Sequence, residues 1–507
     1  MGFAAWATCE ATVKARLLVL GALLTVGVVL LGGGYYLSLD RTPERPNVVF
    51  LLLDTLRYDR IGAEHGGEPV APFLTALAEE ARFYTHAYSP SSWTKPAMAS
   101  MFTSRYVDAH GVYYSARFET PDKPTSDLLA ASFETLAEYL GRFGYATRGV
   151  QTNANLAPAF GFAQGFHADH YPFENGWSAE WVVDQALAGV ASAEPPFYLY
   201  AHFMDPHAVY DPPAEYREVF GPLPELTETD RELIDPDRFM AYYFDQVHVA
   251  LGLKEDYELP QLSENGRRTV ELLYDAEVRY LDDQVRRLVT ALREQAPDTV
   301  FVIAADHGEE FWERGGLGHG TTMYQELVHV PLWVFGPGIT PGRDDTPVNL
   351  VGLMPTIAEA LGLPPREGWQ GRSWLSPAGG HIFSDSRGSY PEERVNTEAL
   401  VREGYKLIID HGHGWTQLYD LAADPLEQRD LAGAMPERVA EMSAALAAHR
   451  AANLELRGEA PAHETSSALD AELVERLRAL GYGGDPLDGE ARAEEPQGRP
   501  RSVPEDE

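Results

Sequence analysis

The sequence predicts an α/β protein: a large mixed, mostly parallel central sheet with helices on both faces, and a smaller C-terminal antiparallel sheet subdomain. Two observations carry this. Short, continuously apolar runs recur along the chain, the pattern of strands buried on both faces. Segments of helical period lie between them, and strands alternating with helices define the class.

The first run is Asn47 to Leu53, ending at Asp54. Helical patterns follow from Ala71 to Ala81 and from Ser126 to Gly144. A second run, Phe197 to Phe203, leads into Met204-Asp205-Pro206-His207. From Thr269 to Glu294, Leu272, Leu273, Val278, Leu281, Val285, Leu288 and Val289 recur at helical spacing. Thr299 to Ala305 is a strand ending at Asp306-His307-Gly308, and Val330 to Phe335 another, ending at Gly336-Pro337-Gly338. From His381 onward the pattern is short strands of an antiparallel unit, then a helix from Pro436 to Asn453. Pro222 to Asp256 is an insertion rich in charge and aromatics, which either walls a site or serves as a helical cover.

The 507 residues exceed one average domain and suffice for a large core. Net charge is -37, which argues against nucleic acid as a partner. An anionic substrate would need local positive charge, such as a bound metal. The single cysteine, Cys9, builds neither a disulfide framework nor a cysteine zinc site.

Leu17 to Leu39 carries no charge. Its twenty-odd residues at about 1.5 Å each reach about 30 Å, enough to cross a bilayer. Lys14 and Arg16 precede it, as the positive-inside rule asks of a cytoplasmic end. The expectation is a single-pass membrane anchor with the rest of the chain on the extracytoplasmic, periplasmic side; a cleaved signal peptide is the alternative. The expected division is 1–45 stub, anchor and linker, 46–375 catalytic domain, 376–455 C-terminal subdomain, and 456–507 tail. The acidic end from Asp485 has the composition of a disordered segment.

In open α/β sheets, sites form outside the carboxyl ends of strands. Asp54, Asp205, His207, Asp306 and His307 all fall there. Each alone reads equally as a turn or cap residue; together they form a mixed oxygen and imidazole set suited to a divalent metal. His319, in Gly318-His319-Gly320, adds another imidazole, or is a surface histidine. His411 and His413 read as loop histidines. In SSWTKPAMASMFT (residues 91–103), Thr94 stands two residues before Pro96, which suits a first helical turn. Thr94 is then either a helix cap or a nucleophile at the positive end of a helix dipole.

The segments NVVFLLLDTLRYDRIG, SSWTKPAMASMFTSRY, FMDPHAVYDPP, FVIAADHGE, GHGTTMYQELVHVPLWVFGPG, LMPTIAEALGLP and LYDLAADPLEQRDLA occur in an order that resembles sulfatases of the alkaline phosphatase superfamily. The resemblance spans roughly Pro46 to Leu446, and the ending LRALGYGG is also common in bacterial relatives. It implies Asp54, Asp306 and His307 as metal ligands, with Thr94 at the nucleophile position and beside the ion. His207 and His319 would touch the substrate's anionic head or leaving group. Asp205, His207 and His319 are the candidate ligands of a second ion. The implied cofactor is one divalent ion (Ca, Mg, Mn or Zn), and the implied partner an anionic ester.

The departures from the family pattern are chemical. A sulfatase proper carries Cys or Ser at the nucleophile position, oxidised to formylglycine. Thr94 has a β-methyl and would give a ketone, not that aldehyde. The family's arginine four residues on is Met98, the second of its paired metal-binding aspartates is Thr55, and its Lys-x-His pair appears as Thr152-Asn153-Ala154. Relatives with Thr here resemble phosphodiesterases and envelope phosphotransferases, which use the Thr oxygen directly. In these an Asn holds a non-bridging phosphoryl oxygen, a role open to Asn153 or Asn155, with Lys95 as a further substrate-binding candidate.

Overall fold

The computed structural model describes residues 45–120, 123–173, 178–252, 259–376, 381–387, 395–457, 465–466, 473–474 and 476–477. The run Leu17 to Leu39, Cys9 and the tail from Asp485 lie outside these. By its contacts the chain divides into Met1–Arg45 and Pro46–Glu507. Among the described residues, no helix is long and apolar enough to cross a membrane.

The central sheet is built from β1 (Asn47–Leu53), β2 (Arg82–Tyr88), β3 (Ala146–Val150), β4 (Phe197–Phe203), β5 (Thr299–Ala304), β6 (His329–Phe335), β7 (Gly342–Asp344) and β8 (Val348–Asn349). Its order is β7-β2-β6-β5-β1-β4-β3, with β8 also pairing β2. β6 runs antiparallel to both its neighbours, and the other pairings are parallel. Every residue of β1, β4 and β5 is buried, which is why these three read as unbroken apolar runs.

The helices that matter for the site are α1 (Pro72–Glu80), α2 (Thr94–Thr103), α3 (Leu136–Gly141), α4 (Ala179–Ala191), α5 (Glu228–Ile234), α6 (Pro236–Ala250) and α7 (Glu264–Gln295). α1 and α4 both pack on α7. α2 is buried along all ten residues, Met98 included, so it has no polar face to show in its sequence. The expected helix over Ser126 to Gly144 is mostly absent. Ser126 and Asp127 end a strand, Lys123–Asp127, and the Leu129 N–H donates to Phe160 O at 2.9 Å rather than to a helical carbonyl. Helix begins only after Thr135, whose hydroxyl and Glu138 form a reciprocal capping box.

Register brings the chemistry together. Leu52 pairs with Ala304, so two further residues along each strand put Asp54 beside Asp306. The Asp54 N–H extends the ladder on the other side, donating to Phe203 O at 3.0 Å. The carboxyl ends of β1, β2, β3, β4 and β5 thus open toward one region.

The C-terminal sheet has four antiparallel strands, β9 (Ile382–Arg387), β10 (Asn396–Arg402), β11 (Tyr405–Asp410) and β12 (Trp415–Asp420), followed by α8 (Pro436–Arg457). Lys406 of β11 forms a fully buried 2.8 Å ion pair with Glu427, which also accepts the Gln325 N–H at 2.7 Å. Truncating one member leaves an uncompensated buried charge, so Lys406→Ala is expected to lower unfolding stability by about 3–5 kcal/mol. Urea denaturation of the variant beside the parent measures this; an unchanged midpoint would show that the pair does not fasten the sheet.

Candidate active site

Asp54, Asp306 and His307 come together as three fully buried side chains whose ligand atoms all lie within 4.8 Å of one another. Each aspartate has its two oxygens in different employment. Asp54 Oδ2 accepts from Asn153 Nδ2 and from His202 Nε2, both at 2.9 Å, while Asp54 Oδ1 has no hydrogen-bond partner. Asp306 Oδ1 accepts the backbone N–H groups of His307 at 3.0 Å and Thr55 at 3.3 Å, while Oδ2 has none.

Thr55 achieves its contact with a φ of 57°, costly for a β-branched residue. Its carbonyl is fixed by the Tyr274 hydroxyl at 2.8 Å. The turn aims the Thr55 N–H at Asp306, at the position where the family's second aspartate would stand.

His307 completes the set. Its Nδ1 lies 2.9 Å from Gly308 O, which can only accept, so Nδ1 carries the proton and Nε2 of the neutral ring presents a lone pair. That Nε2 stands 3.8 Å from Asp54 Oδ1, 3.4 Å from Asp306 Oδ2 and 3.3 Å from Thr94 Oγ1. Ligands about 2.0–2.6 Å from one ion stand about 3–4 Å from each other, so the spacing suits a shared divalent cation.

The electrostatics agree. Burial alone would raise the Asp54 carboxyl, but the His202 hydrogen bond, ahead of the neighbouring imidazoles, outweighs it and holds Asp54 below the ordinary carboxylate range. Burial, then the Asp54 charge, push the Asp306 carboxyl up to about 7. Two carboxylates so placed do not both ionise without a counter-charge. A divalent cation supplies it, and the residues present fit one.

Thr94 is the first residue of α2, and it is fully buried. It does not cap the helix: Trp93 holds the cap position, and no side chain makes a cap hydrogen bond there. The hydroxyl instead faces His307.

Two imidazoles flank this group. The His319 ring centroid is 4.5 Å from that of His307 and 5.0 Å from that of His207. Nδ1 of His207 donates to Ala208 O at 2.7 Å, and Nδ1 of His319 lies 2.8 Å from Glu309 Oε1. Burial lowers both imidazoles, His319 to about 4. Glu309 also accepts the hydroxyls of Tyr210 at 3.1 Å and Tyr243 at 3.3 Å, and burial pushes its carboxyl up to about 7. Tyr243 belongs to α6, so the described part of the insertion, 222–252, walls this region as well as covering it.

The second-ion nomination changes. Asp205, His207 and His319 do not form a three-ligand group within reach of one ion among the described residues. The two imidazoles face each other, while the Asp205 charge bears on Tyr280 of α7. Asn153, a candidate for a substrate oxygen, donates one amide hydrogen to Asp54 Oδ2, and its Oδ1 accepts the Asn155 N–H at 2.9 Å. Asn155 keeps that option, since its buried Nδ2 has no hydrogen-bond partner while Oδ1 accepts from Ser115 Oγ. Lys95 is fully buried, with its amine on Ser126 Oγ and 4.0 Å from the Phe160 ring centroid. Desolvation lowers that amine to about 7.

His202 and Glu309 were not nominated. A lone imidazole inside the apolar run of β4, and an acid two residues beyond His307, were the signals that could have found them. A second carboxylate group, Asp108, Asp385 and Glu398, is already neutralised: Arg387 holds the first two and Arg450 the third.

Beside this mostly parallel α/β sheet with an acid–imidazole group at its strand ends, residues 46–363 match the sulfatase family. The chain belongs to that family and is a sulfatase-like ester hydrolase. It is 24% identical over 448 residues to the choline-sulfatase of Rhizobium meliloti (strain 1021), covering 77% of this chain and 83% of that protein. To the iduronate 2-sulfatase of Homo sapiens it is 24% identical over 429 residues, covering 69% and 75%. Among solved structures, a 2-O GAG sulfatase superposes with a TM-score of 0.64 at 18% identity, over 81% of this chain and 93% of that one. The phosphonate monoester hydrolase of Silicibacter pomeroyi superposes at 0.61 with 23% identity, over 81% and 96%.

The crowded carboxylates give a testable pH dependence. Asp306 keeps its proton up to about pH 7 in the folded, cation-free chain, against 3.8 as its ordinary value. The folded state then binds more protons than the unfolded one, so stability is lost as pH rises through that window. In chelator-stripped protein, melting temperature should fall between pH 4 and 7, and Asp306→Asn should flatten the fall. Divalent ions should raise the parent's melting temperature and not the variant's. Identical pH profiles for the two would remove the crowding argument.

Proposed function

We propose that this chain is a metal-dependent hydrolase that uses Thr94 as its nucleophile on a phosphate ester, a diester in preference to a monoester. Sulfate esters are the family's alternative substrate. The observation that carries the reading is the Thr94 hydroxyl, free of any capping duty and 3.3 Å from His307 Nε2. Its β-methyl bars the formylglycine route and leaves the hydroxyl oxygen as the attacking atom. The likeness to a phosphonate monoester hydrolase as well as to sulfatases is consistent with phosphorus chemistry on this fold.

Asp54, Asp306 and His307 would hold the divalent ion, with Thr94 beside it. When bound, such an ion would neutralise charge and lower the pKa of a nearby hydroxyl. Thr94 gives its proton to the neutral imidazole of His207 or His319, its oxygen bonds to phosphorus, and the bond to the departing oxygen breaks. Asn155 Nδ2 donates to a non-bridging oxygen. The imidazole that took the proton faces the ester's oxygens and returns that proton to the departing one. Water then attacks the phospho-threonine, releasing the phosphate product and restoring the hydroxyl, so no co-reactant other than water is consumed.

The proposal extends to placement. Leu17 to Leu39 serves as a single-pass anchor that holds the catalytic part outside the cytoplasm, in keeping with its lack of charge and the basic residues before it.

Thr94→Ala should reduce turnover at least about 10³-fold with the fold intact, whereas loss of a mere cap costs about 1 kcal/mol of stability and no rate. Thr94→Ser should keep part of the activity. Parallel assays on an aryl phosphodiester, an aryl phosphate and an aryl sulfate make the measurement. A fully active Thr94→Ala enzyme would sink the nucleophile assignment, and activity on sulfate alone would overturn the phosphate preference. Extraction tests the anchor: the full chain should require detergent, and a chain starting at Thr42 should be soluble and active.

A further inference from the structure

Asp54 owes its orientation to a buried pair that no metal touches. Tyr200 and His202 lie two residues apart on β4 and therefore on one face of the strand. Both are fully buried. The Tyr200 hydroxyl lies 2.8 Å from His202 Nδ1, and His202 Nε2 lies 2.9 Å from Asp54 Oδ2. Desolvation raises the Tyr200 hydroxyl well above its ordinary value, so it keeps its proton and donates. Nδ1 is then the acceptor, and Nε2–H is the donor to Asp54. With this tautomer fixed, Oδ2 is taken by His202 and Asn153, and Oδ1 is the oxygen left for a cation.

Tyr200 is itself held from both sides. Its ring stacks on Phe50 of β1 at 5.7 Å and meets Phe102 of α2 edge-on at 5.0 Å between centroids. α2 is the helix that begins with Thr94. The ring that sets the His202 tautomer is thus packed against the helix of the nucleophile.

We infer that Tyr200 and His202 form a positioning relay that sets the cation affinity of the centre by fixing which oxygen of Asp54 faces the ion. The inference rests on the proposed metal centre. Hydrogen-bond partners of metal ligands typically change affinity 10- to 100-fold when removed. Tyr198 supplies an internal control. It occupies the same face of β4 two residues earlier, and its buried hydroxyl has no hydrogen-bond partner.

The experiment titrates Ca2+, Mg2+, Mn2+ and Zn2+ in turn into the chelator-stripped full chain by calorimetry, with no substrate present. The parent should bind a single ion at this centre. Tyr200→Phe should weaken binding about 10-fold and His202→Ala about 10- to 100-fold, while Tyr198→Phe should bind like the parent. If His202→Ala does not fold, Tyr200→Phe against Tyr198→Phe decides alone. Equal affinity for the parent and Tyr200→Phe would overturn the relay and leave the metal centre standing. Equal weakening by both tyrosine variants would also overturn it, since the effect would then be packing. A parent that binds none of the four ions would overturn the centre itself, and the relay with it.

Discussion

Two carboxylates, Asp54 and Asp306, are forced side by side at the ends of adjacent parallel strands, inside the protein and out of reach of water. The remainder of the site answers that crowding. Each carboxylate is anchored by two donors on one oxygen and left bare on the other, and the bare oxygens face the same histidine nitrogen. Ionising both carboxylates there is unfavourable in the absence of a cation, and the same arrangement becomes favourable around one. The strain at Thr55 belongs to this design, because its left-handed turn delivers one of the four anchoring N–H groups.

The burial of the site has a second consequence. In a low dielectric, charges and dipoles act strongly and cost no reorganisation when charge develops on a substrate. Thr94, His207 and His307 are all at most 2% exposed, so an ester group reaching Thr94 enters a region walled by protein dipoles. The overall charge of -37 is then of little account for an anionic substrate. What matters is the local balance of two aspartates, three imidazoles and the ion they fit.

The loop that carries Thr94 does not stand by itself. Ser386 of β9 accepts from Ser92 Oγ at 3.0 Å and donates to Gly320 O at 2.9 Å, so one hydroxyl ties the residues before Thr94 to the loop of His319. Nearby, the Trp93 indole N–H donates to Arg387 O at 3.1 Å, and the Asp385 N–H to Pro90 O at 2.9 Å. The C-terminal sheet, whose sequence showed only short strands, therefore supports both loops directly. Its buried Lys406–Glu427 pair fastens the far side of the sheet near the turn before β6.

The sequence by itself determined the α/β class, the strands β1, β4, β5 and β6, the long helix α7, and Asp54, Asp306 and His307 as strand-end groups. These are local properties: an unbroken apolar run marks a strand covered on both faces, and the residue that ends it falls at the sheet's edge. Tertiary structure decided the rest. The partners of Asp54 are 99 and 148 residues away, and Thr55 lies 251 residues from the carboxylate it anchors. Spacing along the chain cannot show which oxygen such a partner takes. That is why the hold of Asn153 on Asp54 was not legible, why His202 passed for one more residue of a strand, and why Thr94 stood open between a cap and a nucleophile. The helical pattern over 126–144 failed for the same reason: Leu129 gives its N–H to Phe160, a distant carbonyl that local periodicity does not contain. Period and composition fix elements, whereas the direction of a buried polar atom is fixed by the register of strands that meet only once the chain has folded.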